Sequence, residues 1–473
     1  MDSTKCVPIV GRFGRLPTEV LRQIFLFLAE ERDEELRTNL RPCEPSQAVN
    51  ALHSLAATCQ LFHAIAQPLL YGSITVKSIP QLRQLLMTVS RNPRIGARVK
   101  KLSFYEHPDV SAWDDRPNGF CLGPGHEDRS ALWRCVKLAT SLPGFDDEIP
   151  KGWERRGERR NARDAVLDLF ELFLNLPNMS AFHYNGFTCR DLTWPWNTAF
   201  ITLHSTDFQF LFTRVMHGFF TPGGSLLRPR YFPSMVEFGV SGVGTRVAFG
   251  FHRECLNIPS IQTLSISYTN CFDRYTSWVP FTKSYTLREL RLKVPGISVS
   301  MLTKLLVAIK RLEIFYCEYQ PPKNKLVRLG PILATLYLHQ LSLKELNVSL
   351  SRAVTSRDLA SKSEQTFQSW SRYTELSILA IPDVALYDKM SYTKSRRHRL
   401  PPNVVSLSIS QWLDASLILP TLDKLSLHKE SFTKLSEITI VGKTQPDRDF
   451  QKKLAELRSA FVKQGVTLRY KVH

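Results

Sequence analysis

Residues 343–350 read LKELNVSL, a short segment in which Leu346, Val348 and Leu350 alternate with Asn347 and Ser349. That alternation suits a strand with one buried face. Close relatives of the segment recur along the chain: MSAFHYNG (Met179), MVEFGVSG (Met235), IQTLSISY (Leu264), LRELRLKV (Leu290), IKRLEIFY (Leu312), YTELSILA (Leu376), VVSLSIS (Leu407), LDKLSLH (Leu425) and LSEITIV (Ile438). Each approaches the pattern LxxLxLxx, and several follow a proline (Pro177, Pro233, Pro259, Pro402, Pro420). One such unit cannot bury its apolar edge alone, so repeated units stack and share a core. The spacing is uneven. From Leu264 to Ile438 the intervals are 26, 22, 34, 30, 31, 18 and 13 residues, against about 20–29 in tidy repeats of this kind. An ordinary mixed α/β domain with several Leu-rich strands therefore stays open as an alternative.

Outward from these strands the same class continues. Ile74 and Val76 predict a strand, Leu82, Leu85, Leu86 and Val89 a helix face, and Val99, Leu102 and Phe104 the next strand. Together they form one βαβ-like unit with parallel strands. At the other end, Leu454, Leu457, Phe461 and Val462 predict a helix that Gly465 stops before a final strand. Residues 107–135 and 142–164 are rich in Gly, Pro and charge, and predict long loop insertions near 106–163.

The N-terminal part is different. LPTEVLRQIFLFLAE, Leu16–Glu30, opens as a helix should, with Pro17 and Glu19 in the first turn. Val20, Leu21, Ile24, Phe25, Leu26, Phe27 and Leu28 then cover nearly its whole circumference, whereas a soluble helix usually has one apolar stripe. A charged segment follows across 30–47, read as a solvated loop or short exposed helix. Two further helices follow it: Val49, Leu52, Leu55 and Ala56 mark one, and Leu61, Phe62, Ile65 and Leu69 the other. Thr58 is placed to cap the second, and Pro68 and Gly72 to close it. A helix greasy on two sides packs its siblings with one. Whether the other is covered by the rest of the chain or by a second protein, the pattern leaves open.

Composition limits the function classes. At 43% apolar over 473 residues the chain can build a sizeable core. Nine cysteines stand singly with no CxxC, which reads as reduced thiols in a cytoplasmic or nuclear protein. The first residues lack a signal-peptide layout, residues 1–12 read as a flexible N-terminus, and no apolar run reaches the length of a membrane span, so no membrane partner is expected. The net charge is +19, yet residues 15–70 hold five Arg against seven Asp and Glu, so the excess lies in the large remainder. No GxSxG, HExxH, Walker A or GxGxxG motif is present, and His126, Glu127 and Asp128 lack further ligands at metal spacing. The chain is therefore expected to be no enzyme and to need no cofactor or metal.

The N-terminal block, LPTEVLRQIFLFL followed by LHSLAATCQLFHAIAQPLLYGSI, resembles an F-box, and its exit AQPLLYGSITV is similar to fungal members of that family. The strand pattern resembles leucine-rich repeats. These resemblances imply an F-box helical bundle at 13–72, carrying the charged insertion, followed by an irregular leucine-rich-repeat-like solenoid at 73–473. They imply a substrate-recognition subunit of an SCF-type cullin–RING ubiquitin ligase. It would dock a Skp-family adaptor through Leu16, Pro17, Val20, Ile24, Leu28, Leu55, Cys59 and Phe62 and hold a protein target with the repeats. Cys59 reads as a small buried hydrophobe on that bundle.

Basic clusters at 91–101, 151–163 and 389–399 supply candidate target contacts, chiefly Arg155, Arg156, Arg159, Arg160, Arg396 and Arg397. Arginine forks pair bidentately with carboxylate or phosphate, so an acidic or phosphorylated target is expected. An F-box-like scaffold outside ubiquitination, and a basic repeat protein that binds nucleic acid, remain as alternatives.

Overall fold

The computed structural model describes residues 17–38, 47–105, 168–185, 234–241, 260–267, 286–295, 297–320, 326–350, 370, 372–385, 400–410, 415–427, 432–442 and 447–472. The expected N-terminal tail, the loops near 106–163 and the basic clusters at 151–163 and 389–399 lie outside them.

The LxxLxLxx segments become one parallel sheet. Its twelve strands are β1 Ser73–Val76, β2 Lys101–Tyr105, β3 Ala181–Asn185, β4 Glu237–Ser241, β5 Thr263–Ser267, β6 Glu289–Pro295, β7 Ile314–Gln320, β8 Glu345–Leu350, β9 Ile378–Pro382, β10 Ser406–Ser410, β11 Glu437–Gly442 and β12 Thr467–Val472. They lie side by side in chain order without a reversal. Register explains why the sequence repeats. Leu102, Phe182, Phe238, Leu264, Leu290, Phe315, Leu346, Leu379, Leu407, Ile438 and Leu468 stand opposite one another across successive strands. All are buried, and they form one row of a continuous core that runs from Val76 to Leu468. Phe104, Tyr184, Val240, Ile266, Leu292, Cys317, Val348, Ile381, Ile409 and Ile440, two residues further along, make a second buried row. Each fully buried side chain of this size contributes roughly 1.5–3 kcal/mol, so stacking, more than any one strand, holds the sheet.

The joints repeat as well. The carbonyl ahead of each strand accepts hydrogen bonds from two consecutive amides of the next: Lys344 O from Ser377 and Ile378 at 2.9 and 3.2 Å, and Ser377 O from Val405 and Ser406 at 2.7 and 3.1 Å. The Ser180, Ser377 and Ser436 hydroxyls donate to these same carbonyls.

Helices return the chain between strands. α4 (Ile79–Arg91) joins β1 to β2 and buries Ile79, Leu82, Leu86 and Val89, with Leu85 only half-buried; the Ser78 hydroxyl caps it. α5 (Val299–Ala308) lies between β6 and β7, and α6 (Gly330–Leu336), followed by a 3-10 turn Tyr337–His339, between β7 and β8. α7 (Ala415–Leu427) and α8 (Arg448–Val462) precede β11 and β12. Asp447 caps α8, accepting from the Phe450 amide at 2.7 Å, and Gly465, at φ 72°, turns the chain into β12. Crossovers between parallel neighbours keep one hand, so an unreversed strand order puts these helices on one face of the sheet. The other face carries the intervening residues and no helix among the described residues.

Three expectations on this part are corrected. Of LDKLSLH, the described residues 422–427 are helical, inside α7, where Ile418, Leu419, Leu422 and Leu425 are buried at helical spacing. The strand positions equivalent to Leu346 are Phe315 and Leu379, not Leu312 and Leu376. On this register the spacing evens out, from 25 residues (Leu290 to Phe315) to 33 (Leu346 to Leu379). Val462, predicted on the buried face of α8, is 67% exposed.

Ahead of the sheet stand α1 (Thr18–Thr38), α2 (Gln47–Ala56) and α3 (Gln60–Gly72). They pack around Phe25, Leu52 and Ala66, a small core separate from that of the sheet. α3 runs directly into β1, and Arg98 of the β2 approach donates to the Gln67 side chain at 2.9 Å. The start of the charged segment at 30–47 continues α1 as far as Thr38. Pro68 sits inside α3 instead of closing it, while Gly72 is its last residue.

Candidate docking surface

α1 carries two apolar stripes, and the bundle uses one. Leu21 and Phe25, a turn apart, are buried, with Leu28 and Ala29 half-buried behind them. The Phe25 ring meets the edge of Phe62 from α3, with centroids 5.4 Å apart. Leu55, Ala56, Ile65 and Leu69 close around the same centre. The second stripe follows the spacing i, i+4, i+7: Val20, Ile24 and Phe27 are 42%, 45% and 63% exposed. Leu26 is exposed as well, and Leu61, at the start of α3, is 46% exposed.

Helix ends fix this arrangement. Pro17 lies just ahead of α1, and its carbonyl accepts the first helical hydrogen bonds, from Val20 and Leu21 at 3.0 and 3.1 Å. At α3 the cap is Cys59 and not Thr58: the Cys59 sulfur accepts from the Phe62 amide at 3.5 Å. The Thr58 hydroxyl instead donates back to the Leu55 carbonyl at 2.7 Å. Cys59 is half-buried and caps the helix start, so its reading as a small buried hydrophobe is corrected.

The eight predicted docking residues therefore divide. Pro17, Val20 and Ile24 are exposed on the outside of α1. Leu28, Leu55 and Phe62 are half-buried and pack against the bundle core, so only part of each side chain is open to a partner. Leu16 lies outside the described residues, as do Arg155, Arg156, Arg159, Arg160, Arg396 and Arg397. Sequence reasoning missed Phe27 and Leu61, although the i, i+4, i+7 spacing from Val20 pointed to Phe27.

The helix-free face of the sheet is the second surface a partner could meet. Its charges are largely answered within the face. His183 lies 2.9 Å from Glu237, Lys293 is 3.1 Å from Glu318, Arg469 is 3.3 Å from Glu437, and Arg291 pairs with Glu289. Gly239 leaves room beside His183: a Cβ there would stand 2.7 Å from the imidazole Nδ1, and the ring would have to shift. Polar and small side chains such as Ser265, Asn347, Ala380 and Ser408 fill the middle of the face. That composition suits recognition more than chemistry.

At the rim where the strands begin, Glu313 accepts a hydrogen bond from Lys344 at 2.7 Å. Arg311 and Arg288 stand at 3.5 and 3.8 Å. The Lys344 bond, helped by the three positive charges, holds the Glu313 carboxyl below its ordinary range. Burial pushes the Cys317 thiol up to about 12, which leaves it protonated and inert within the core. No group of three or more His, Cys, Asp or Glu able to hold a metal occurs among the described residues. No described helix is long and apolar enough to cross a membrane. No protein-family model matches the sequence, and no curated protein matches it.

Proposed function

We propose that the chain is the target-receiving subunit of an SCF-type cullin–RING ubiquitin ligase. Residues 13–72 act as an F-box and the sheet domain as an irregular leucine-rich-repeat-like solenoid. The observation that carries the reading is the second stripe of α1. Val20, Ile24 and Phe27 stay exposed although the bundle has completed its own core without them. An apolar stripe of this kind next to Leu61 marks a surface for a partner. Of the residues on which the F-box resemblance rests, Glu19, Leu55 and Phe62 lie on these three helices, with Pro17 just ahead of α1 and Cys59 at the cap of α3.

The mechanism is proximity. The adaptor holds the bundle, the sheet domain holds the target, and a conjugating enzyme brought by the RING subunit supplies the thioester. Raising the effective concentration of target lysines needs no reacting residue in this chain. An interface of standard size, roughly 1,600 Å² in total, is enough for stable docking.

The test is co-purification of a Skp-family adaptor and a cullin with the full chain, comparing wild type with Ile24→Asp/Phe27→Asp. Loss of both partners in the variant, with the far-UV spectrum unchanged, supports the reading. Retention of the adaptor at wild-type level refutes it. Adaptor without any cullin would favour a scaffold outside ubiquitination. Nucleic-acid binding gains little from the described sheet face, whose charges are largely paired within the face.

A further inference from the structure

A second apolar surface, made of residues other than those of the α1 stripe, sits at the rim where strands β7 and β8 begin. Val307 in the last turn of α5 is 50% exposed, and Leu338 and Leu341, on the turn after α6, are 62% and 73% exposed. The turn is held against the end of α5. The His339 Nε2 donates to the Leu306 carbonyl at 3.1 Å, and the Ser342 hydroxyl donates to the Leu312 carbonyl at 2.8 Å. Arg372 of the next unit covers the Tyr337 ring at 5.6 Å and donates to its hydroxyl. The two leucines thus protrude from a braced turn.

Cations surround them. Residues 297–312 and 326–344 contain Lys304, Lys310, Arg311, Arg328 and Lys344 and no Asp or Glu. Lys310, Arg311, Lys344 and Arg372 are all exposed at this rim. The acids nearest in sequence are Glu313, already held among Lys344, Arg311 and Arg288, Glu345 at the start of β8, and Glu375 at the approach to β9, fewer than the cations around them. The rim therefore stays net positive around an aliphatic tip.

We propose that this rim seats the protein on an anionic lipid bilayer, with Leu338 and Leu341 entering the headgroup region and the surrounding Lys and Arg facing lipid phosphates and carboxylates. Composition decides between a bilayer and a protein partner. Lys is depleted from protein interfaces, whereas aliphatic tips ringed by Lys and Arg suit an anionic membrane surface. Each Lys or Arg at such a surface strengthens binding about fivefold. A protein can be held at a bilayer without crossing it, so the lack of a spanning segment does not bear on this surface. It is independent of the adaptor reading, since the two surfaces share no residue.

The experiment is co-sedimentation of the full chain with vesicles of phosphatidylcholine alone or with phosphatidylserine added. Wild type is compared with Leu338→Asp/Leu341→Asp. Because the whole chain is basic, a control variant of equal charge change, Val462→Asp/Val472→Asp, is run beside it; both of its positions are exposed. The expected result is binding to the phosphatidylserine vesicles only, weakened at least tenfold in the leucine variant and less than threefold in the control. Equal weakening in both variants, or none in the leucine variant, overturns the proposal. So does absence of vesicle binding together with capture of a synthetic Glu/Leu peptide, which would assign the rim to an acidic protein partner.

Discussion

His339 offers a quantitative test of how the sheet and helix layers are locked together. It is 2% exposed, and both of its ring nitrogens are used. Nε2 donates to the Leu306 carbonyl at 3.1 Å, while Nδ1 accepts from the Leu312 amide at 3.4 Å. These two bonds fix the neutral tautomer and tie the 3-10 turn to the end of α5 and the approach to β7. Replacement by leucine removes both, with unequal consequences. The Leu306 carbonyl keeps the Ile309 amide at 3.2 Å. The Leu312 amide, by contrast, is left without this acceptor at a buried position, at a cost of about 1–3 kcal/mol.

Acid should act on the same bond. Burial lowers the His339 pKa below its ordinary value, so the unfolded chain takes up a proton more readily than the folded one. The stabilisation is therefore complete above the unfolded value of about 6.5 and is lost as pH falls from there through the folded pKa. Urea unfolding of wild type and His339→Leu at pH 7.5 and 5.5 measures both effects. The variant should be less stable at pH 7.5 by about 2 kcal/mol, and the gap should narrow at pH 5.5. An equal gap at both pH values would refute the assignment of the neutral, doubly bonded ring.

Three other substitutions probe the architecture. Leu346→Ala, in the central row of the core, should cost about 2–5 kcal/mol by thermal or urea unfolding, whereas Leu341→Ala, 73% exposed nearby, should stay within about 0.5 kcal/mol. Phe25→Ala should cost the bundle about 3–5 kcal/mol and open α1–α3 to limited proteolysis. The sheet should remain resistant, because the two cores share no residue.

The strands were legible because each repeats an apolar pair two residues apart behind a leading apolar residue, and the members of that pair stand in rows across the sheet. The same pattern misled at Leu425. Leucines at i and i+3 fit a helix as well as LxxL, and here Ile418, Leu419, Leu422 and Leu425 completed a helical face that a strand of that length could not use. The irregular spacing was partly a matter of counting from Leu312 and Leu376, the leading positions, when the central positions are Phe315 and Leu379. A phenylalanine in a leucine row hides the repeat from a pattern but not from a core.

On the bundle, sequence showed that α1 had too many apolar residues for one stripe. It could not show which were spent inside, because Leu28 and Phe27 are adjacent and differ only in the direction their side chains take. The cap at Cys59 was hidden because cysteine is a rare cap beside the threonine that precedes it. The helical run through EERDEELRT was masked by its charge, although it contains neither Gly nor Pro to stop a helix.

The claim that most needs testing is that an exposed stripe of α1 receives a foreign protein. Hydrogen exchange of the full chain, with and without a purified Skp-family adaptor, reads this directly. The account predicts slowed exchange across 18–29 and at the start of α3, with β6–β9 unchanged. Unchanged exchange across 18–29 at saturating adaptor, or protection confined to the sheet, would contradict it.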